Sequence, residues 1–164
     1  MLIILEGCDG VGKSTVANKL AKILNAEIIH CNRYTPNDVS FFTNIIYASE
    51  TRNIIADRFC YGQFAYQEEK DRPLGKTCEG VHELSNRISA LENLHRLETL
   101  MLGYNCKVIH VTAPLDEIKD RLQLRREKII DKLSVEEVVN RFKGIFENSL
   151  LEIIEWNTGR DINE

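Results

Sequence analysis

The chain lacks the features that mark secreted, membrane-spanning and nucleic-acid-binding proteins. No apolar run approaches the roughly 20 residues that span a membrane, and a first strand beginning at Met1 would leave no room for a signal peptide. Lysine and arginine total 21 against 25 aspartate and glutamate, so no global basic field favours a nucleic-acid polymer. No C-x-x-C pair is present, and an odd number of scattered cysteines is typical of reduced thiols. We therefore expect a cytoplasmic protein that binds neither a membrane nor a nucleic-acid polymer.

Proline is also scarce, at three residues, and no internal repeat or low-complexity linker divides the chain. A length of 164 residues suits one domain with a sizeable core and is short for two. A hydrophobic content of 43% and a charged content of 28% are those of an ordinary globular protein. We expect one domain over residues 1–164.

What the chain does contain is a complete phosphate-binding loop. Residues 7–14 fit the pattern G-x-x-x-x-G-K-[ST] without a mismatch. Glycines let successive backbone N–H groups point into one concavity, and a helix that starts at the loop's end adds its positive N-terminus. Lys13 is expected to reach the terminal phosphates of ATP as a catalytic residue, and Ser14 to hold Mg²⁺. The expected ATP-binding residues are Gly7, Cys8, Asp9, Gly10, Val11, Gly12, Lys13, Ser14 and Thr15.

The order of elements around this loop predicts an α/β protein. Residues 1–5 are an apolar run typical of a buried parallel strand, and residues 15–24 carry apolar side chains at helical spacing. The alternation that follows predicts three layers, with helices flanking a parallel sheet of about five strands. Residues 151–156 fit either a fifth strand or the end of the last helix. The other predicted strands are 27–31, 53–56 and 106–111, and the helices are 41–50, 62–69, 81–102, one from Pro114 and one that Ser134 caps with Glu137.

A second motif follows the third predicted strand. Asp57 stands at the strand's end, where nucleotide-binding folds place a carboxylate near Mg²⁺, so it joins Ser14 as an expected metal residue. From Asp57 to Gln67 the chain runs Asp-Arg-Phe-Cys-Tyr-Gly-Gln-Phe-Ala-Tyr-Gln, which resembles the Asp-Arg-Tyr…Ala-Tyr-Gln signature of thymidylate kinases. The segment from Glu6 to Thr15 also resembles that family's phosphate loop, with acidic residues before and inside it.

The resemblance to thymidylate kinases implies a P-loop kinase fold. It also implies transfer of the γ-phosphoryl group of ATP, with Mg²⁺, to a deoxynucleoside monophosphate such as dTMP or another pyrimidine nucleotide. By resemblance, Arg58 binds the acceptor's phosphate as a catalytic residue, and Asp9 contacts the sugar hydroxyl. Tyr66 and Gln67 lie beside the sugar and base. The chemistry agrees, because a planar guanidinium suits a phosphate dianion. A homodimer is a further implication, and helix 81–102 has enough apolar positions to serve both core and interface.

A third group of residues lies beyond the fourth predicted strand. Arg121, Arg125 and Lys128 are spaced i, i+4 and i+7, so they share one helix face. Alone this pattern is typical of a solvated charged face, but the resemblance implies a mobile lid around residues 121–133. Some family members carry a helper arginine inside the phosphate loop, where this chain has Gly10, so the lid must supply that charge. The catalytic candidates are Arg121, Arg125 and Arg126.

The stretch between the second and third predicted strands departs from the family pattern. It is shorter than the family's usual pair of helices, and this compactness would suit a viral-type member. Arg33 is a candidate ligand of the acceptor's phosphate, since Arg33-Tyr-Thr-Pro36 loosely resembles the family's Arg-Glu-Pro. Phe41 or Phe42 is a candidate for stacking on the base, with core packing as the alternative for each. Gly62 stands where the family usually has serine. These departures leave the acceptor base open.

Two other functions compete with the monophosphate kinase. A deoxynucleoside kinase of the same fold would phosphorylate a 5′-hydroxyl and needs a carboxylate base, for which Glu6 or Asp57 is available. Asp9 and the Ala65-Tyr66-Gln67 ending favour a monophosphate, whose attacking oxygen is already anionic. A regulatory GTPase would require a guanine-binding Asn-Lys-x-Asp segment, and the sequence has none.

Overall fold

Strands and helices alternate along the chain, as the sequence predicts. The computed structural model describes residues 1–32, 35–36, 38–66, 91–125 and 134–159. The strands in these ranges are β1 (Leu2–Glu6), β2 (Glu27–His30), β3 (Ile54–Asp57), β4 (Cys106–Thr112) and β5 (Ile153–Asn157). The helices are α1 (Lys13–Leu24), α2 (Val39–Ala48), α3 (Cys60–Ala65), α4 (Leu91–Leu102), α5 (Leu115–Leu124) and α6 (Val135–Glu147).

The five strands form one parallel sheet in the order β2-β3-β1-β4-β5. The register places Leu5 beside Asp57 on one side of β1 and Glu6 beside His110 on the other. Because all strands point the same way, the loops after β1 and β3 leave the sheet at the same edge. That edge is where open α/β sheets bind their ligands.

The core lies around the two central strands β1 and β3, whose residues are all buried. Strands covered on both faces consist of continuous apolar runs, which is why Leu-Ile-Ile-Leu and Ile-Ile-Ala suit these positions. Burial of one such leucine or isoleucine side chain contributes about 1.5–3 kcal/mol. Phe42 of α2 packs edge-on against Phe59 at the start of α3, with ring centroids 4.7 Å apart. This contact fixes the end of β3 against the helical layer.

Local capping decides where two of the helices begin: the start of α2 differs from the predicted one, and the predicted cap of α6 is present. Helix α2 begins at Val39 because Asp38 caps it, its Oδ1 accepting a 2.7 Å hydrogen bond from Ser40 N. The capping box of α6 is confirmed: Ser134 N donates to Glu137 Oε2 at 2.6 Å, and Glu137 N donates to Ser134 Oγ at 3.2 Å.

The ambiguous segment near the C-terminus is a strand, since β5 pairs with β4 from Ile153 to Asn157. The predicted helix 62–69 corresponds to α3 and the predicted helix 81–102 to α4. Other parts of both predicted helices lie outside the described residues. In the described part of the chain, no helix is both long and apolar enough to cross a membrane. The assignment of residues 1–164 to one domain stays a prediction.

Candidate active site

The phosphate-binding loop connects the end of β1 to the start of α1. Gly7 has φ +144°, and a Cβ at this position would lie 2.3 Å from Val111 O, so a larger residue would displace β4. Gly12 caps α1 with φ +94°, a left-handed conformation that glycine adopts without strain. Its carbonyl accepts hydrogen bonds from Thr15 N at 3.1 Å and Val16 N at 3.2 Å. The loop thus presents the N-terminus of α1 at the sheet edge, as an anion site requires.

Lys13 is buried and lies along the loop. Its Nζ donates hydrogen bonds to Gly7 O at 2.7 Å and Cys8 O at 2.8 Å, and it lies 3.9 Å from Asp9 Oδ1. Burial lowers the pKa of Lys13, and the nearby Arg58 lowers it further, whereas Asp9 raises it. A cation held this way is positioned for the phosphates that the loop would bind.

The two residues expected to hold the metal ion are in contact. Ser14 Oγ donates a 2.7 Å hydrogen bond to Asp57 Oδ2, and His30 Nδ1 lies 3.1 Å from the same oxygen. Hydroxyl and carboxylate oxygens are the hard donors that Mg²⁺ prefers, with phosphate oxygens and water completing its shell. Among the described residues, no group of three or more His, Cys, Asp or Glu is arranged to hold a metal ion. Ser14 and Asp57 supply one hydroxyl and one carboxylate oxygen, a donor set that fits an ion whose remaining ligands come from a nucleotide and water.

Arg58 follows β3 directly and adopts a left-handed backbone conformation, with φ +71°. Its backbone N donates to Leu5 O at 3.0 Å, which holds it to β1. Its guanidinium forms a salt bridge with Asp9 of the phosphate loop. Asp9 therefore lies between two cations, Arg58 and Lys13, that come from different motifs.

Tyr66 also contacts Asp9, through the backbone of that residue. Its hydroxyl accepts a 2.9 Å hydrogen bond from Asp9 N, and its ring packs edge-on against Phe142 at 6.0 Å. Burial raises the pKa of Tyr66 well above its ordinary value, so the hydroxyl stays protonated. Tyr66 and Asp9, both expected beside the acceptor sugar, are thus in direct contact.

Arg121 of α5 contacts the phosphate-binding loop. Its Nη1 donates to Gly10 O at 3.3 Å and Thr158 Oγ1 at 3.2 Å, and its Nη2 donates to Glu117 Oε2 at 2.7 Å. Thr158 in turn hydrogen-bonds to Val11 O. Sequence reasoning missed Thr158, because a single threonine beyond β5 carries no motif. Gly10, which occupies the position of the helper arginine in some thymidylate kinases, is one of the residues that Arg121 contacts.

The other predicted site residues are less closely tied to the loop. Arg125 is the C-cap residue that follows α5, and it is exposed. Phe41 is half-buried and packs edge-on against Phe42 at 5.2 Å, so core packing accounts for part of its ring, and Phe42 is fully buried. Arg33, Gln67 and Arg126 lie outside the described residues, as does the part of the predicted lid 121–133 that runs from 126 to 133.

Glu6, one candidate base, is fully buried. Its Oε1 accepts hydrogen bonds from Phe59 N at 2.7 Å and Gly62 N at 2.9 Å. Burial raises the pKa of Glu6, while these two backbone N–H groups act in the opposite direction. The carboxylate is therefore already engaged in holding the start of α3.

A family model described as an AAA domain matches residues 3–141. The chain belongs to this AAA domain family. The SPbeta prophage-derived uncharacterized protein YorR from Bacillus subtilis (strain 168) is 28% identical over 163 residues, which cover 97% of this chain and 90% of that protein. A crystal structure of YorR in complex with phosphorylated GDP superposes with a TM-score of 0.69 at 27% identity, covering 96% of this chain and 85% of the other.

More distant structures share the fold alone. Deoxyadenosine kinase from M. mycoides with bound dATP gives a TM-score of 0.57 at 13% identity, covering 99% of this chain and 93% of that one. Thymidylate kinase from Candida albicans gives 0.52 at 18% identity, covering 98% and 84%. The predicted fold, a parallel five-stranded sheet flanked by helices as in P-loop kinases, is confirmed. Membership among the thymidylate kinases themselves stays a prediction.

Proposed function

We propose that the chain is a phosphotransferase that moves the γ-phosphoryl group of Mg-ATP to a deoxynucleoside monophosphate. A pyrimidine nucleotide such as dTMP is the first candidate acceptor. The observation that carries the proposal is the position of Asp9 between Lys13 and Arg58. Lys13 belongs to the motif that would bind the donor phosphates, and Arg58 to the motif that would bind the acceptor's phosphate. Because both cations lie against the same carboxylate, the two proposed phosphate sites adjoin.

The proposed reaction needs little covalent work from the protein. An oxygen of the acceptor's phosphate attacks the γ-phosphorus, an O–P bond forms to it, and the bond to the bridging β-oxygen breaks to release ADP. Lys13 neutralises charge on the donor, and Arg58 binds the acceptor dianion through its planar fork. Mg²⁺, held by Ser14 and Asp57, would neutralise charge on the donor phosphates.

A monophosphate acceptor fits this site better than a nucleoside. A 5′-hydroxyl needs a base, whereas a phosphate oxygen is anionic without one. Glu6 accepts two backbone hydrogen bonds, and Asp57 is held by Ser14 and His30. One oxygen of each candidate base, Oε1 of Glu6 and Oδ2 of Asp57, is therefore committed to other contacts.

The other assigned roles belong to the same proposal. Asp9 would contact the acceptor sugar once a phosphate replaces it on Arg58, and Tyr66 would hold Asp9 in place. Arg121 would supply lid charge because it already contacts Gly10 O. Gln67 beside the base, Arg126 in the lid and a homodimer stay proposals from resemblance, and a cytoplasmic location stays a proposal from the scattered cysteines.

A guanine nucleotide is the second candidate, because the YorR structure contains phosphorylated GDP. This relative is 27% identical over nearly the whole chain. Guanine nucleotides should therefore be tested both as phosphoryl donor and as acceptor.

A coupled assay of nucleoside diphosphate release tests the proposal. Mg-ATP and Mg-GTP are each offered with deoxynucleoside monophosphates, ribonucleoside monophosphates and free nucleosides. We expect turnover with one deoxynucleoside monophosphate at least tenfold above every nucleoside. Turnover with nucleosides alone would contradict the proposal and support a nucleoside kinase. Donor binding with no acceptor turned over would contradict the assignment of the acceptor site.

A further inference from the structure

Arg58 adopts a conformation that its own residue type disfavours. Arg58 is a non-glycine residue at positive φ, a strained conformation that persists only where neighbouring contacts impose it. The hydrogen bond from Arg58 N to Leu5 O fixes the residue on its N-terminal side. On the C-terminal side, the next residue, Phe59, donates its N–H to Glu6 Oε1 at 2.7 Å. Glu6 and Leu5 of β1 therefore hold both sides of Arg58.

Glu6 also caps α3. Phe59 is the N-cap residue of this helix, and its side chain makes no capping hydrogen bond. The carboxylate of Glu6 replaces such a cap, because the same Oε1 accepts from Phe59 N and from Gly62 N at 2.9 Å. A carboxylate at a helix N-terminus is favoured both by its free N–H groups and by the helix dipole.

Residue 62 leaves room for this carboxylate. A Cβ on Gly62 would lie 3.3 Å from Glu6 Oε2, tighter than an ordinary contact. Among the described residues, Glu6 Oε2 is a buried side-chain atom with no hydrogen-bond partner. Burying a carboxyl group that is only partly hydrogen-bonded lowers the stability of the fold. Its position beside the phosphate loop therefore points to a functional role.

We propose that Glu6 is a positioning residue for acceptor binding, which directs the Arg58 guanidinium toward the phosphate loop by capping α3. This inference rests on the proposed function for its effect on the acceptor and on geometry alone for its effect on Arg58. Loss of the cap frees the turn at Phe59, allows Arg58 to leave its left-handed conformation, and removes the guanidinium from Asp9. The donor site is affected less, because Lys13 and Ser14 donate their hydrogen bonds to Gly7, Cys8 and Asp57, and Glu6 acts on Lys13 only through its charge.

The test compares Glu6→Ala and Glu6→Gln with Glu98→Ala as a matched control. Glu98 is also a fully buried carboxylate, and it accepts hydrogen bonds from Tyr61 within α3, Ser149 and Leu150. It therefore controls for the loss of a buried carboxylate that contacts α3 but bonds neither of the two cap donors nor the phosphate loop. Binding of dTMP is measured by calorimetry in the presence of Mg²⁺ and a non-hydrolysable ATP analogue. We expect E6A to raise the Kd for dTMP at least tenfold and to leave the Kd of the analogue within twofold. E6Q keeps an oxygen acceptor for both N–H groups and should restore dTMP binding to within threefold of wild type.

A second measurement is independent of the acceptor. In ¹⁵N-arginine-labelled protein, the guanidinium N–H groups of Arg58, whose Nη2 bonds Asp9, should exchange with water at least tenfold faster in E6A than in wild type or E98A. Should E6A fail to fold, E6D replaces it, since a carboxylate one methylene shorter cannot reach both donors. Unchanged Arg58 exchange, or equal loss of dTMP binding in E6A and E98A, would overturn the inference. Absence of monophosphate binding in the wild type would instead overturn the proposed function, and the exchange comparison would still decide the role of Glu6.

Discussion

Ser14 Oγ donates a 2.7 Å hydrogen bond to Asp57 Oδ2 and so joins two motifs that lie 43 residues apart in the chain. The first residue lies in the first turn of the helix after β1, and the second ends the neighbouring strand β3. Parallel pairing of β1 with β3 brings them together at the carboxyl edge of the sheet. The contact supports a shared Mg²⁺ site and leads to the first prediction.

Asp57→Asn should raise the Mg²⁺ concentration that gives half-maximal turnover at least tenfold, because an amide oxygen carries no charge to bind the ion. Ser14→Ala should raise it as well, by removing a direct oxygen donor. Magnesium titrations at saturating ATP measure both effects. Thr51→Ala is the control and should match the wild type, because Thr51 is exposed and its hydroxyl donates to Ala48 O, away from the phosphate loop. Equal magnesium requirements in D57N and wild type would place the metal elsewhere.

Lys13→Met should reduce kcat at least 100-fold while the protein stays folded. Methionine keeps much of the buried volume of the lysine stem but removes the charge that would stabilise the transferring phosphoryl group. Turnover is measured alongside the melting temperature. Turnover close to that of the wild type in a folded K13M protein would refute the assignment of the loop as catalytic.

The two described lid arginines should differ. Arg121 contacts Gly10 O in the loop, whereas Arg125 is exposed at the end of α5. We expect R121A to lower kcat at least tenfold with ATP binding within threefold of wild type, and R125A to have the smaller effect on kcat. Single-turnover kinetics and equilibrium ATP binding separate the two quantities. A larger loss of kcat in R125A would assign the transferring charge to that residue instead.

Gly62→Ser should be more stable than Gly62→Ala by about 1 kcal/mol. Both substitutions add a Cβ near Glu6 Oε2, but the serine hydroxyl can donate to this oxygen, and a hydrogen bond to a charged group contributes about 1.5–3 kcal/mol. Part of that gain is offset by the lower helix propensity of serine. Urea unfolding of the two variants measures the difference, and an equally stable pair would show that the hydroxyl does not reach Glu6.

The sequence predicted the sheet and the phosphate loop because their signals are local. The apolar run of β1 and the fixed glycine spacing each lie within a few residues, as do Ser134 and Glu137 of the α6 capping box. The contacts that were missed join distant positions. Arg121 reaches Thr158 across 37 residues, and Glu6 reaches Phe59 across 53. No periodicity relates such pairs.

Ambiguity at β5 had a different cause. A short apolar run such as 151–156 fits a strand or a helix end equally well, and only pairing with β4 decides it. Glu6 is a candidate base on sequence grounds because its type and position suit one. Its burial and its two backbone donors, which give it a capping role, depend on the packing of α3 against β1.

The proposed function depends above all on Arg58, which would bind the acceptor phosphate beside a donor site formed by Lys13. The most direct test is the steady-state kinetics of Arg58→Ala, with Arg52→Ala as a control, since Arg52 is exposed and paired with Glu27 at 2.8 Å. For the monophosphate that the acceptor panel selects, we predict that R58A raises the acceptor KM at least tenfold or reduces kcat/KM for the acceptor by as much. The KM for ATP should stay within twofold, and R52A should match the wild type. A rise in the KM for ATP with an unchanged acceptor KM would contradict the account.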